Sequence, residues 1–382
     1  MPETPKRIGL IGLSAKGSWA SQSHLEYLQK TDLYQISALQ NSSKTSAEAA
    51  ADKYELKNVA TYDNPSAIAS DGNVDIVAIS VNVPEHYNLI KPALEAGKDV
   101  FSEWPLARNL AEAEELVQLA QKKGVKTMVG LQARQCPSII KAKEIIAAGK
   151  LGKILGTTMY GHGLLFGAAV PENFLYCLPI EAGANILNIP FGHATDALCY
   201  VLGELKDISA TLANLRPEHD LLGQDNKVKG KVQKTAHDYV SIVGRLADGG
   251  GVVNVTYAPD SSRTGRNFYW EINGTDGSLV LENPNAMGGH VQMFQPATIK
   301  LTIGNDTEEV QTEKAADISF NVGKAWDAWA GVGLDQGHSV TTWDDALVRH
   351  KMIDAIYRSA ERGTRENYLQ ALLRSDVAGT VN

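Results

Sequence analysis

Short apolar runs alternate with longer amphipathic stretches over the first 130 positions. The pattern predicts strands over 7–13, 34–39, around Thr61, and over 74–80, 99–102 and 126–130. The run at 74–80 is apolar and β-branched on both faces, as a strand covered by helices on each side must be. Between the strands lie a small-residue turn at 14–18 opening a helix that runs to Lys30, an Ala-rich helix at 45–54, a helix start at Pro65, and helices at 86–96 and 110–123. Gly97 and Gly124 close the last two, where a left-handed residue ends a helix. Strands separated by helices of this length imply βαβ units and a parallel, doubly wound sheet.

The rhythm changes after residue 131. A helix is predicted over 137–148, a strand over 155–162 and a small-residue helix over 185–202. Strand-like runs follow at 208–215, 238–246, 251–257, 267–273, 278–282 and 298–303, and a helix at 343–362. Gly- and Asp-rich turns at 247–251 and 273–277 leave short spacers, which favour antiparallel pairing. The expected architecture is α/β: a Rossmann-type domain over 1–130 and an α+β domain with an open, mainly antiparallel sheet over 131–382.

Length and charge narrow the function. A chain of 382 residues exceeds one ordinary core, which agrees with two domains. The net charge is −8 and no basic stripe stands out, so direct nucleic-acid binding is not expected. The densest basic stretch, 227–234, reads as an exposed loop. No apolar run approaches a membrane span, and the N-terminus lacks a secretory apolar region. Three cysteines without CxxC spacing fit a reduced, cytoplasmic setting and exclude a disulfide scaffold. No His, Cys, Asp or Glu set has metal-ligand spacing.

Candidate chemistry begins at Gly12-Leu13-Ser14-Ala15-Lys16-Gly17, between the first strand and the first helix. That is the place of the glycine-rich turn that brings backbone close to a pyrophosphate, here with Ser14 as the middle residue. A plain βα turn is the bland alternative. After the second strand, Asn41-Ser42-Ser43-Lys44 offers donors and a positive charge but no carboxylate for a ribose 2′-hydroxyl. Ser42, Ser43 and Lys44 therefore suit a 2′-phosphate and point to NADP, with NAD possible; a polar loop that happens to lack an acid is the alternative.

Further along, Pro84-Glu85-His86, the run from Ala93 to Val100, and Glu103-Trp104-Pro105-Leu106-Ala107 follow one another. Gln132, Arg134, Pro137, Lys141 and Lys143 precede Gly149-Lys150-Leu151-Gly152, and Gly192-His193 stands before Asp196. Together these resemble the glucose–fructose oxidoreductase, inositol dehydrogenase and rhizopine-catabolism family. The resemblance implies a Rossmann domain, a second domain whose open sheet often forms a dimer interface, and a small-molecule substrate. It also implies cofactor contact at Glu103 and Trp104, and a structural or adenosine-proximal place for His86. Two departures stand out. The family's Glu-Lys-Pro lysine is Trp104 here, and the family's Asp four residues before the histidine has no equivalent at that spacing. Asn188 lies five before His193, so it is either the shifted equivalent or unrelated. The turn Ala15-Lys16-Gly17-Ser18-Trp19 together with Glu103-Trp104 and Phe191-Gly192-His193 is similar to a subgroup of fungal galactose-pathway repressors, which implies a regulator that binds NADP without catalysis.

Hydride transfer at a carbinol carbon needs a group that gives or takes the oxygen's proton. His193 is the first candidate, because imidazole titrates near neutrality and the resemblance places it at the cleft. Asn188 is a candidate for binding a substrate hydroxyl and His162 for lining the pocket, with Tyr176 a weaker acid. For each, a buried or loop side chain is the structural alternative, and Asp196 either orients the ring or caps a network. The expected function is an NADP-dependent oxidoreductase acting on a sugar, polyol or related small carbonyl compound, as a homodimer or higher oligomer. The alternative is the silent regulator.

Overall fold

The computed structural model describes residues 4–293, 298–315 and 317–369. The chain divides into two units, Met1–Gln135 with Ala316–Leu347, and Cys136–Ala315 with Val348–Asn382. The sequence placed the break after residue 130 and gave everything beyond it to one domain. The structure instead returns a later segment to the first unit, a non-local relation that periodicity does not encode.

The first unit holds β1 (Lys6–Ile11), β2 (Tyr34–Gln40), β3 (Ala60–Tyr62), β4 (Ile76–Ile79), β5 (Asp99–Glu103) and β6 (Thr127–Gly130). They form one sheet in the order β3-β2-β1-β4-β5-β6, with every pair parallel. The order reverses between β1 and β4, which defines the crevice where open parallel sheets bind ligands. The expected helix up to Lys30 is broken into α1 (Trp19–Gln22) and α2 (His24–Leu28). The break falls at Ser23, whose hydroxyl and backbone N–H both donate to the Trp19 carbonyl, at 2.7 and 3.0 Å, and whose φ of −114° departs from the usual helical value. Then come α3 (Lys44–Lys53), α4 (Pro65–Ser70), α5 (His86–Glu95) and α6 (Leu110–Lys123). Their starts follow local chemistry. Ser43 and Ser46 cap one another at α3, Asn64 caps α4 ahead of Pro65, and Asn109 accepts the Glu112 N–H at α6.

The second unit opens with α7 (Pro137–Ala147), β7 (Ile154–Gly163), β8 (Ala169–Pro171) and α8 (Gly192–Leu202). β9 (Leu205–Ala213), β10 (Glu218–Leu222), β11 (Val228–Gln233), β12 (Tyr239–Leu246) and β13 (Val252–Pro259) follow. β14 (Phe268–Gly274), β15 (Gly277–Asn283), β16 (Thr298–Ile303) and β17 (Asp306–Val310) complete the strands. Eight of them form a sheet in the order β17-β16-β15-β14-β7-β13-β12-β9, antiparallel except where β7 meets β13. β7 and β13 lie far apart in sequence, so no tight turn dictates their relative direction. The basic stretch expected as a loop is β11, paired with β10, with β8 alongside. Its charges hid the strand: Lys229 and Lys231 face solvent and pair with Glu172 and Asp220.

The segment that rejoins the first unit carries α9 (Phe320–Trp329), which the periodicity did not reveal. Trp326 is fully buried between Phe101 and Tyr34, at ring distances of 4.7 and 4.8 Å. The Tyr34 hydroxyl donates to the Trp326 carbonyl at 2.9 Å. The chain then enters α10 (Trp343–Arg362), whose first residues belong to the first unit and the remainder to the second.

Candidate functional site

In the first unit, the chemistry gathers at the carboxyl ends of the strands. Gly12 follows β1 with φ +100°, and a Cβ there would lie 2.2 Å from the Ser80 carbonyl oxygen just after β4. Only glycine permits both that backbone and that approach. Ser14 closes the turn: its hydroxyl accepts the Lys16 N–H and its carbonyl accepts the Gly17 N–H and the Tyr54 hydroxyl. Gly17 is left-handed, and Lys16 is exposed. Along the same carboxyl edge of the sheet, Gln40 Oε1 at the end of β2, Ser80 Oγ after β4 and Gln132 Oε1 after β6 are buried with no hydrogen-bond partner among the described residues. Buried polar atoms are rarely left so. Three of them at the strand ends of a doubly wound sheet fit a polar ligand such as a pyridine dinucleotide. Ser42, Ser43 and Lys44 stand exposed where α3 begins.

Glu103 is drawn into a buried network. The Trp326 indole N–H donates to His24 Nδ1 at 3.1 Å, so the other ring nitrogen carries the proton and donates to Glu103 Oε1 at 2.5 Å. A Cβ at Gly130 would lie 2.6 Å from Glu103 Oε2, so the glycine makes room for the carboxylate. Trp104, next along, is buried. His86 is fully buried with Pro105 and Val81 carbonyls at 2.8 and 3.1 Å from its two ring nitrogens. Burial pushes its pKa below the ordinary value, so the neutral ring donates to one carbonyl and ties β4 to the Pro105 turn. His24 and Trp326 carry no local signal in the sequence, because they are 302 residues apart.

In the second unit, a π-turn over Leu187–Phe191 lies at Asn188 and leads into the helix that carries His193. Pro190 has no N–H for the Ile186 carbonyl, and the Phe191 N–H reaches back to it instead, at 3.1 Å. The turn takes in one extra residue, so the five-residue spacing acts as four does in an α-helix and sets Asn188 and His193 on one side. Asn185 Oδ1 accepts the Leu187 and Asn188 N–H groups. The Tyr357 hydroxyl accepts from Asn185 Nδ2 at 3.1 Å and donates to Asn188 Oδ1 at 3.2 Å. His193 is buried and its Nδ1 has no partner among the described residues. Burial, then the nearby His290, push its pKa down to about 3, so the ring is neutral at pH 7.

The remaining candidates have other partners. His162 donates from Nδ1 to the Pro259 carbonyl at 3.1 Å and accepts the Tyr160 hydroxyl at Nε2 at 2.6 Å. Both nitrogens are engaged within the sheet, which leaves none for a substrate. Asp196 lies at the buried Arg349 guanidinium, which also reaches Cys199 and Glu204. Tyr176 is raised in pKa by burial. Among the described residues no three His, Cys, Asp or Glu side chains gather as metal ligands, and no helix is long and apolar enough to cross a membrane.

A six-stranded parallel sheet in Rossmann order is the architecture of a dinucleotide-binding domain, followed here by a mostly antiparallel second domain. Residues 6–131 match the oxidoreductase family with an NAD-binding Rossmann fold, and residues 137–283 match the Gal80p C-terminal domain. The chain is 35% identical over 369 residues to the dehydrogenase aclE of Aspergillus oryzae, covering 95% of this chain and 98% of that one. It is 31% identical over 413 aligned positions to the galactose/lactose metabolism regulatory protein GAL80 of Saccharomyces cerevisiae, covering 95% and 94%. A crystal structure of a super-repressor mutant of that yeast Gal80p superposes with a TM-score of 0.85 at 26% identity, over 95% of this chain and 98% of that one. Levoglucosan dehydrogenase in complex with NADH and L-sorbose shares the fold, with a TM-score of 0.75 at 21% identity over 94% and 98%. The chain belongs to the NAD-binding Rossmann oxidoreductase family, in the branch that carries a Gal80p-like second domain.

Proposed function

We propose that the protein is an NADP-preferring oxidoreductase that moves a hydride between nicotinamide and the carbinol carbon of a sugar, polyol or related small carbonyl compound. The observation that carries this reading is the π-turn that aligns Asn188 with a buried His193 whose Nδ1 has no partner among the described residues. Gly12, Ser14 and Gly17, with Ser80, Gln40 and Gln132, would hold the dinucleotide, and Ser42, Ser43 and Lys44 its 2′-phosphate. When bound, the dinucleotide would supply its oxidised nicotinamide ring as the hydride acceptor. Asn188 holds the substrate hydroxyl, and His193 takes its proton as the carbonyl forms. A general base works best when it titrates near the working pH, so His193 can keep that proton and pass it on to solvent only if substrate and dinucleotide raise its basicity from the value burial gives it in the unliganded chain.

His193→Asn is expected to lower turnover by about 100-fold, the scale of lost acid–base help, with NADPH binding intact. Full turnover in that variant would defeat the assignment. NADPH should bind more tightly than NADH, and Lys44→Glu should remove the preference; fluorescence titration of each reduced cofactor decides it. Residues 40–47 contain no carboxylate, which supports the preference. An assembly of two or more copies belongs to the same reading, because the outer sheet face exposes Tyr239, Val243 and Val252. Light scattering that returned the 41.2 kDa monomer would contradict it. The buried free thiols of Cys136, Cys177 and Cys199 are in keeping with a cytoplasmic setting.

The second reading is a dinucleotide-responsive regulator that has lost catalysis. The observation favouring it is Trp104: a buried indole stands where most of the family carries an ionisable lysine, and an indole N–H can donate a hydrogen bond but is far too weak an acid to transfer its proton to a substrate oxygen. Absence of turnover with every polyol and sugar tested, alongside tight NADPH binding, would establish it.

A further inference from the structure

The second unit brings near one another a set of neutral polar side chains drawn from four separate stretches of chain. At its centre Asn188 and His193 are one turn apart. From Asn188 the series passes through the Tyr357 hydroxyl, 3.2 Å away, to His237, whose ring centre is 5.9 Å from that of Tyr357. From His193 it passes to His290, close enough to depress the other's basicity. Three nitrogens along it, His237 Nδ1, His193 Nδ1 and His290 Nε2, are buried with no partner among the described residues. Burial of such atoms without a partner is expensive, and it is recovered only when a ligand or ordered water meets them.

The two ends are rigidly built. His237 lies in a loop clamped by a buried ion pair, Lys234 Nζ to Asp238 Oδ2 at 2.9 Å, and the same carboxylate accepts the Leu215 and Arg216 N–H groups. The Thr235 and Ala236 N–H groups both donate to the Leu178 carbonyl. His290 follows Gly289, where a Cβ would lie 2.2 Å from the His162 carbonyl oxygen, and the Tyr257 hydroxyl donates to the Gly289 carbonyl at 3.0 Å. No member of the series carries a formal charge at neutral pH, since the three imidazoles are lowered by burial and Tyr357 is raised to about 12. A hydroxyl both donates and accepts, so it can meet either nitrogen of a neutral ring. A carboxylate or phosphate would lack a cation here, because Lys234 is already paired.

We propose that His237 and His290 are specificity residues at the two ends of a hydroxyl-reading series centred on Asn188 and His193, and that its ligand is neutral and polyhydroxylated. This deepens the oxidoreductase reading and rests on it for the chemistry, but not for binding. Calorimetric titration of the full chain, saturated with NADPH, uses myo-inositol and D-glucitol as probes, with 1-propanol and succinate as controls. One or both polyols should bind in preference to the controls. His237→Leu and His290→Leu should each weaken that binding by about 10-fold, the effect of leaving a ligand hydroxyl unpaired. His237→Gln and His290→Gln, which keep a donor and an acceptor, should recover most of it, and NADPH affinity should not change in any of the four. Leucine variants that bind polyol like the unaltered protein would overturn the proposal. So would a preference for succinate, or no polyol binding at all. Polyols that bind through this series without being oxidised would remove the oxidoreductase reading and leave the proposal standing.

Discussion

Acidifying the protein from about pH 7 to about pH 5.5 should loosen the second unit; His219 and His237 are lowered by burial as well, and the two fully buried rings, His193 and His290, give the part of the effect that can be sized. In the unfolded chain a histidine titrates near 6.5. Burial holds His193 down to about 3 and His290 to about 4 in the folded state. Above pH 6.5 both states are neutral and pH has no leverage. Below it the unfolded chain takes up protons that the folded rings refuse, so stability falls as pH falls, until the folded values are reached. Over this interval each ring removes about 1.2 kcal/mol and the pair about 2.5 kcal/mol, a large fraction of a domain's margin. Hydrogen exchange of the α8 amides, corrected for intrinsic rates, should show protection falling by that amount. In a His193→Gln, His290→Gln variant the fall should shrink accordingly. Imidazole NMR showing either ring titrating between about pH 6 and 7 would refute the reasoning, as would a pH response unchanged in the double variant.

Three further outcomes follow from the first unit. Gly12→Ala should destabilise it by about 2 kcal/mol or more, through a left-handed backbone and a clash with the Ser80 carbonyl, and should abolish NADPH binding; a melting curve and a fluorescence titration check both. His24→Phe leaves the Glu103 carboxylate and the Trp326 indole without their shared partner and should lower stability by about 2–3 kcal/mol; an unchanged urea midpoint would contradict the network. Trp104→Lys should give no gain in turnover, because a buried apolar position does not become a proton-transfer site by gaining an amine; a rise in rate would show otherwise.

The parallel sheet was legible because each strand announces itself as a buried apolar run and each helix ends on a capping residue such as Gly124 or opens on one such as Ser43. Gly12 was legible for the same local reason. The π-turn was not, although its cause is written at Pro190: five-residue spacing looks like a broken motif until the missing N–H is followed to the Ile186 carbonyl. β11 was masked by the very lysines that protect an exposed edge. His162 looked available because sequence does not show that Tyr160 and Pro259 occupy both its nitrogens. Tyr357, His237 and His290 lie far from Asn188 along the chain, and only folding makes them neighbours.

The place of Trp326 also bears on the order in which the protein is made. The core of the first unit includes Val322, Ala325 and Trp326. All six strands of its sheet have been synthesised by residue 130, yet that core stays open until α9 follows, some 190 residues later. At roughly 5–20 residues per second, a ribosome needs about 10–40 s to cover that distance. Through that interval Phe101, Tyr34 and the buried face of His24 wait without their indole, while the second unit is being extruded as far as its last strand, β17. The nascent first unit therefore cannot close its core on its own strands and helices alone, and it gains its last buried side chains only after most strands of the second unit have been made.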